Sequence, residues 1–338
     1  MRACFGWDLG GANLKLSRIE NGRTMSVTQI PCPAVSEPRK FDRALAVAVD
    51  MLDLRNAPHA VTMTGELSDV FANRAEGVSY LVALMRKTTG ETTRFYSLDG
   101  FLDAEQAIAR WPDVASANWH ASAALAASIA GEGLLIDVGT TTTDLIPLKD
   151  GKVAAAGRND GERLTEGELI YGGVVRTPVM AVIRHAPFKG RMQGIAAERF
   201  ATMADVYRLT GELPSDADPY PTADRRGDSL DESAARLARM LGRDASEAEF
   251  IAWKALAHFI ARQQIEQIEA DARVLIKREE LSADAPVIGA GCGRFLAETL
   301  AKRLNQPYRD FSGMIDCDEA AREMASRCAP AAAVALLA

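Results

Sequence analysis

The feature that most constrains this chain is an internal repeat. From Cys4 to Arg23 it reads C-F-G-W-D-L-G-G-A-N-L-K-L-S-R-I-E-N-G-R, and from Leu134 to Lys152 it reads L-L-I-D-V-G-T-T-T-T-D-L-I-P-L-K-D-G-K. With Asp8 laid on Asp137, Gly10 falls on Gly139 and the pair Asn21-Gly22 falls on Asp150-Gly151. Each copy is an apolar strand closing on an aspartate, a loop of small residues, an apolar-polar strand and a two-residue turn. Asn-Gly and Asp-Gly between strands are strong hairpin signals. The repeat therefore predicts an α/β chain of two related domains, 1–130 and 131–338, each opening with an antiparallel hairpin.

The loops carry chemistry. Gly10-Gly11 and Gly139-Thr140 let the backbone turn tightly and approach a ligand. Successive N–H groups in such a turn form a concave nest for anions. Thr140, Thr141, Thr142 and Thr143 add hydroxyls, and Asn13 and Lys15 add an amide and a cation. Two aspartates, Asp8 and Asp137, facing the same phosphates would repel them unless a divalent cation lay between. Mg²⁺ suits that place, since it favours a few carboxylates, water and phosphate oxygens. The matched loops predict a Mg²⁺-bound polyphosphate in a central cleft; two ordinary hairpins with glycine turns are the alternative.

Composition narrows the partners. The 338 residues carry a net charge of −7, so no domain-wide basic field exists to attract nucleic acid. The five cysteines show no C-x-x-C pair and the four histidines no metal-ligand spacing. No run of 18 apolar residues suggests a membrane span, and the first residues read as a strand rather than a signal peptide. The expected setting is the cytoplasm.

Elsewhere, the pattern predicts helices over 41–54, 79–88 and 295–304, and strands over 60–63 and 93–97. Ala-rich sequence from Pro112 to Ala130 holds Asn118-Trp119-His120 ahead of a close-packed helix. Thr64-Gly65-Glu66-Leu67 follows a strand end, where α/β proteins place ligands. Pro214, Pro219, Pro221 and Gly227 make 215–228 an exposed loop. Ser246-Glu247-Ala248-Glu249 reads as a capping box opening a helix to Arg278, with Phe250, Trp253, Leu256, Ile260, Ile265, Ile268 and Val274 on its apolar side. Gly289, Gly291 and Gly293 lie in V-I-G-A-G-C-G-R. The first two fit G-x-G-x-x-G, and Asp310 lies about 20 residues on, but Arg294 replaces the third glycine. A dinucleotide site and a Gly-rich turn lining a ligand cleft are both open readings. The apolar C-terminal stretch 319–338 reads as helical, kinked or divided at Pro330.

These motifs resemble the acetate and sugar kinase, Hsp70 and actin superfamily. Asp8-Leu-Gly-Gly is similar to its first phosphate loop, Asp137-Val-Gly-Thr-Thr-Thr-Thr-Asp144 to its second, and Gly289-Ala-Gly-Cys-Gly293 to its adenosine-contacting turn. The second loop is most similar to the hydantoinase/oxoprolinase branch. D-L-G-G-A-N, T-G-E-L, A-N-W-H-A-S and Y-G-G-V-V-R-T-P resemble one small subfamily, linked to tetrahydromethanopterin-dependent one-carbon transfer and methanofuran biosynthesis. The fold implied is two actin-like, ribonuclease H-like domains with duplicated phosphate-binding hairpins around a cleft. The C-terminal one would carry a helical insertion and the terminal helix.

The subfamily resemblance implies a transferase. An (aminomethyl)furanmethanol diphosphate would lose pyrophosphate to the phenol oxygen of γ-glutamyltyramine, forming an ether without ATP. Both partners are small molecules. Under this reading Asp8 and Asp137 hold Mg²⁺. Gly10, Gly11, Asn13, Gly139, Thr140, Thr141 and Thr142 cradle the diphosphate, and Lys15 neutralises it. Asp144 orients a water or a threonine hydroxyl, Glu66 or His120 takes the phenol proton, and Arg176 meets a substrate carboxylate. Ala12-Asn13 stand where hydantoinase-type enzymes carry Thr and a later Asp, and Lys15 fills the cationic role seen in sugar kinases. Rival readings are an ATP-dependent small-molecule kinase or amidohydrolase and a non-enzymatic actin- or Hsp70-like switch.

Overall fold

The computed structural model describes residues 3–32, 37–51 and 57–338. Its strands are β1 (Ala3–Leu9), β2 (Asn13–Glu20), β3 (Arg23–Pro31), β4 (His59–Met63), β5 (Thr93–Ser97), β6 (Gly100–Leu102), β7 (Gly133–Val138), β8 (Thr143–Lys149), β9 (Lys152–Val153), β10 (Leu169–Ile170), β11 (His185–Phe188), β12 (Arg191–Gly194), β13 (Val287–Ala290) and β14 (Tyr308–Asp310). One sheet has the order β3-β2-β1-β4-β5-β6, and another the order β10-β8-β7-β13-β14 with β9 on β8. In each, the aspartate-bearing strand (β1 or β7) lies third, flanked by the second strand of its repeat and by a strand from later in the chain. The first sheet is mixed: β1 runs antiparallel to β2 and parallel to β4. This duplicated order is the ribonuclease H-like plan of the actin-like class.

The repeat is legible atom by atom. Asn21 and Gly22 take φ of 50° and 81°, and Asp150 and Gly151 take 52° and 72°, the doubly positive pattern of a type I′ turn. Gly10 N donates to Asn13 O at 3.1 Å, and Gly139 N donates to Thr142 O at 2.8 Å, so one bond closes both loops.

The chain forms two compact units. One comprises 1–135, 146–166 and 309–338, the other 136–145 and 167–308. This differs from the division at 130/131 because 146–166 and the C-terminal stretch 309–338 both pack with the first unit. The helix Ala329–Leu336 is almost wholly buried and lies against β1, β2 and β4. It begins at the break before Pro330, which sits in its first turn, where proline's missing N–H costs nothing. The rest of the first core includes Trp7, Leu9 and Met63 with Val78, Leu81, Val82 and Met85 of the helix Arg74–Thr89.

Several boundaries move for physical reasons. That helix begins earlier than residue 79 because Asn73 caps it, its side chain accepting from Glu76 N. The first helix spans Arg39–Met51, and the predicted end at Leu54 lies outside the described residues. The Ala-rich stretch divides into Trp111–Val114 and Asn118–Ala130, with Ser116 between them at φ 54°. The capping box is Asp244 with Glu247, closing a short 3₁₀ turn, and the long helix starts afterwards as Phe250–Arg278. Phe250 and Val274 lie off its buried side, while Trp253, Leu256, Ile260, Ile265 and Ile268 are buried. The loop 215–228 is irregular but tied down: fully buried Arg236 binds Asp224 and Gly227 O, and Arg208 binds Asp218.

Candidate functional site

In the first unit, the β1–β2 register sets Asp8 opposite Lys15. Lys15 Nζ donates to Asp8 Oδ2 at 2.8 Å. Asp8 is fully buried, and its Oδ1 has no hydrogen-bond partner. A buried carboxyl oxygen so placed suits an incoming donor or cation, because leaving it unpaired is costly. Asn13, 7% exposed, likewise keeps an unpartnered Oδ1. The first loop packs on the segment carrying Glu66: Thr64 N donates to Leu9 O at 3.0 Å, and a Cβ on Gly11 would meet Ser68 Oγ at 2.7 Å.

Glu66 lies in a 3₁₀ turn over Gly65–Leu67 and is 2% exposed. Helix Arg74–Thr89 crosses it closely enough that a Cβ on Gly77 would stand 2.6 Å from Glu66 Cα. Ser116 Oγ donates to Glu66 Oε1 at 2.8 Å, while Oε2 has no partner. Burial pushes this carboxyl from 4.5 up to about 7; the Ser116 bond works against the rise and the charge of Asp160 adds to it. Arg74 engages Asp160 at 3.1 Å. Glu66 can therefore exchange a proton near neutrality.

His120 has different surroundings. The Tyr96 hydroxyl and His120 Nδ1 are 2.9 Å apart, and Trp119 meets the imidazole edge-on. Burial, helped by the charges of Arg158 and Arg163, lowers the imidazole to about 4. The ring is neutral at physiological pH and a weak base. Of the two predicted proton acceptors, Glu66 has the matched affinity.

In the second unit, the loop 139–142 is built by its own backbone. Val174 N binds Gly139 O at 3.1 Å, Val175 N and Arg176 N bind Thr140 O at 3.1 and 2.8 Å, and Gly173 N binds Thr141 O at 3.0 Å. With Thr142 O held by Gly139 N, every carbonyl of the loop has a backbone donor. What the loop can offer a ligand is its donor edge, the N–H groups and hydroxyls of Thr140, Thr141 and Thr142, which suits an anion. Gly173 makes the approach possible, since a Cβ there would stand 2.5 Å from Thr140 C and Thr141 N. Arg176 reaches this assembly through its backbone, and its side chain is exposed.

The Gly-rich turn bears on the same strand end. A Cβ on Gly291 would lie 2.2 Å from Val138 O and 2.5 Å from Asp137 Oδ1, and Gly293 N donates to Val138 O at 2.8 Å. Gly289 faces Tyr308, and Gly293 faces Val138 and Val174. All three glycines are buried, and Gly291 packs directly against Asp137. Asp144, half-buried on β8, pairs in register with Leu169.

The structure thus groups Asp8, Lys15, Gly10, Gly11, Asn13 and Glu66 in one unit, and Asp137, loop 139–142, Arg176 and the Gly-rich turn in the other. Sequence reasoning missed Ser116, which follows no pattern, and Gln264. Gln264 is 1% exposed and binds Gly172 O and Gly173 O. It does leave a trace: it is polar in the i, i+4 series Leu256, Ile260, Gln264, Ile268. For Mg²⁺, the described residues contain no group of three or more His, Cys, Asp or Glu arranged about a cation. The unpartnered Asp8 Oδ1 is the feature that fits one.

Comparison with known proteins follows the same lines. The model of the hydantoinase/oxoprolinase family matches residues 58–336. The chain is 29% identical over 288 residues, 85% of each chain, to the (4-{4-[2-(gamma-L-glutamylamino)ethyl]phenoxymethyl}furan-2-yl)methanamine synthase of Methanocaldococcus jannaschii. It is 32% identical over 114 residues, 34% of this chain and 51% of the relative, to the synthase of the same name from Methanococcus vannielii. Among solved structures, nucleotide-free acetone carboxylase matches with a TM-score of 0.55 and 8% identity, covering 90% of this chain and 67% of that one, a likeness of fold alone.

Proposed function

The chain belongs to the hydantoinase/oxoprolinase family, and within it we propose that it is an ether-forming transferase of methanofuran-type cofactor biosynthesis. The similarity to the M. jannaschii synthase across 85% of both chains carries this reading. In the proposed reaction, the phenol oxygen of γ-glutamyltyramine bonds to the furylmethyl carbon of an (aminomethyl)furanmethanol diphosphate. The carbon–oxygen bond to the diphosphate breaks, pyrophosphate leaves with the electron pair, and the phenol proton passes to a base.

Features of the described residues support this reading. The donor edge of loop 139–142 binds diphosphate oxygens and stabilises the charge that grows on the leaving group. The furylmethyl carbon is benzylic in character, so bond breaking can run ahead of attack and leaving-group stabilisation dominates. Gly10, Gly11 and Asn13 of the first loop offer a second anion-binding turn in their own unit, where Lys15 balances Asp8. Glu66 accepts the phenol proton, its carboxyl poised by burial. Arg176 offers a guanidinium to the glutamyl carboxylate, and Asp144 orients a threonine hydroxyl or a water. When bound, Mg²⁺ would neutralise part of the diphosphate charge. Asp8 in the first unit or Asp137 in the second would hold it, directly or through water. The expected compartment is the cytoplasm; no helix of the described residues is long and apolar enough to cross a membrane.

The test is product inhibition. Pyrophosphate should compete with the furan diphosphate, and ATP should inhibit weakly or not at all. The family match favours a second reading, an ATP-dependent amidohydrolase. Tight ATP–Mg²⁺ binding and no competition by pyrophosphate would support that reading and remove the first.

A further inference from the structure

We propose that Gln264, with Tyr207 behind it, is a positioning residue that holds the anion-binding loop 139–142 in its donor-outward form. The role rests on the proposed diphosphate reading for its consequence, but not for its geometry. Gln264 Nε2 donates to Gly172 O at 2.9 Å and to Gly173 O at 3.1 Å. The Tyr207 hydroxyl donates to Gln264 Oε1 at 2.6 Å. These three bonds set the amide's orientation, since a flipped amide would point its oxygen at two carbonyls. Thr143 Oγ1 adds a second donor to Gly172 O at 2.9 Å, from the residue that follows the loop.

Each carbonyl that Gln264 holds lies on the segment whose N–H groups hold the loop. Gly173, Val174, Val175 and Arg176 donate to Thr141 O, Gly139 O and Thr140 O. The order of support is Tyr207, Gln264, the carbonyls of 172–173, the amides of 173–176, the carbonyls of 139–141, and then the loop's free edge. Gln264 and Tyr207 are at most 1% exposed, and burial pushes the Tyr207 phenol up, so it stays a neutral donor. A buried amide in an otherwise apolar helix stripe is costly unless every bond is made. Here its two donors and its oxygen all have partners. Without the two Nε2 donors, Gly173 O would lose its side-chain partner, and the segment that fixes the loop's carbonyls could turn. The loop would then present carbonyls to a diphosphate, which repel it.

Two variants test this. Gln264→Met keeps the volume and removes the donors, and Tyr207→Phe removes only the bond that orients the amide. The first measurement needs no ligand: hydrogen exchange of the amides of Gly139 and residues 173–176, read beside a thermal melt. We expect exchange about tenfold faster in Gln264→Met and a smaller rise in Tyr207→Phe, with the melt cooperative. Unchanged exchange in both variants would overturn the positioning role. Should Gln264→Met fail to fold, Tyr207→Phe alone decides. The second measurement is Mg²⁺–pyrophosphate affinity by calorimetry, expected to fall about tenfold in Gln264→Met while KM for the phenolic amine holds within about twofold. Faster exchange with unchanged pyrophosphate affinity would keep the positioning role and remove the loop from diphosphate binding. An equal loss for both substrates would mark general damage and overturn the proposal.

Discussion

Glu66→Gln should reverse a pH-dependent cost built into the first unit. The carboxyl titrates at about 7 in the fold against an ordinary 4.5, with burial the first cause. The folded protein therefore holds this proton more tightly than the unfolded chain does. Between those two values the folded state binds more protons, so stability is greatest at low pH and falls as pH rises through the window. Above it the loss is complete, about 3 kcal/mol. In the variant, the Ser116 hydroxyl can still donate to the amide oxygen. The new Nε2 takes the place of an oxygen that has no partner, at a cost of about 1–3 kcal/mol for an unsatisfied buried donor. The variant should thus be less stable than wild type in acid and about equal or more stable in base. Urea unfolding, followed by tryptophan fluorescence at several values between about pH 4 and 8, reads the difference. The gap between the two curves should change by about 3 kcal/mol across that range. Parallel curves would refute the account of Glu66. If Glu66 is also the base, the variant should lose the acidic limb of its rate profile and about 10²–10⁴ in turnover.

Other expectations follow from single contacts. Gly173→Ala would push a Cβ into the backbone of Thr140 and Thr141, so a net loss of about 1–2 kcal/mol and a large fall in pyrophosphate affinity are expected. Gly194→Ala, with open space around it, should melt like wild type and serves as the control. Lys15→Met removes the cation 2.8 Å from fully buried Asp8 and should cost about 3–5 kcal/mol by chemical denaturation, most of it restored by adding Asp8→Asn. His120→Gln should leave the shape of the rate profile unchanged between about pH 5 and 8, because the ring is already neutral there. Asp137→Asn should keep the circular dichroism of wild type and remove most turnover; wild-type turnover would exclude Asp137 from the reaction.

The repeat was legible because it is local. Asp, Gly and a two-residue turn at fixed spacing determine strand, loop and hairpin without help from distant residues. The equal loop-closing bonds at Gly10 and Gly139 follow from that spacing. Long-range packing was less legible. The terminal helix reads as apolar in sequence, but nothing local says that it covers β1, β2 and β4. The capping box shifted to Asp244 because two overlapping acidic patterns compete, and only geometry decides which side chain reaches back. Glu66 was chosen as a carboxylate at a strand end, yet its raised affinity comes from burial, to which the close approach of Gly77 belongs, and from the charge of Asp160, with Ser116 opposing them, all remote in sequence. The three glycines at 289, 291 and 293 read as a dinucleotide site or a ligand-lining turn, and the sequence alone does not say that their missing side chains make room for Tyr308, Asp137 and Val138.

The central claim is that a phenol displaces pyrophosphate with no nucleotide. Its most direct test combines purified protein, the furan diphosphate, γ-glutamyltyramine carrying ¹⁸O in its phenol, and Mg²⁺. The account predicts one pyrophosphate per ether formed, with the label retained in the ether oxygen. Ether formation only on addition of ATP, with ADP released in step, would contradict it.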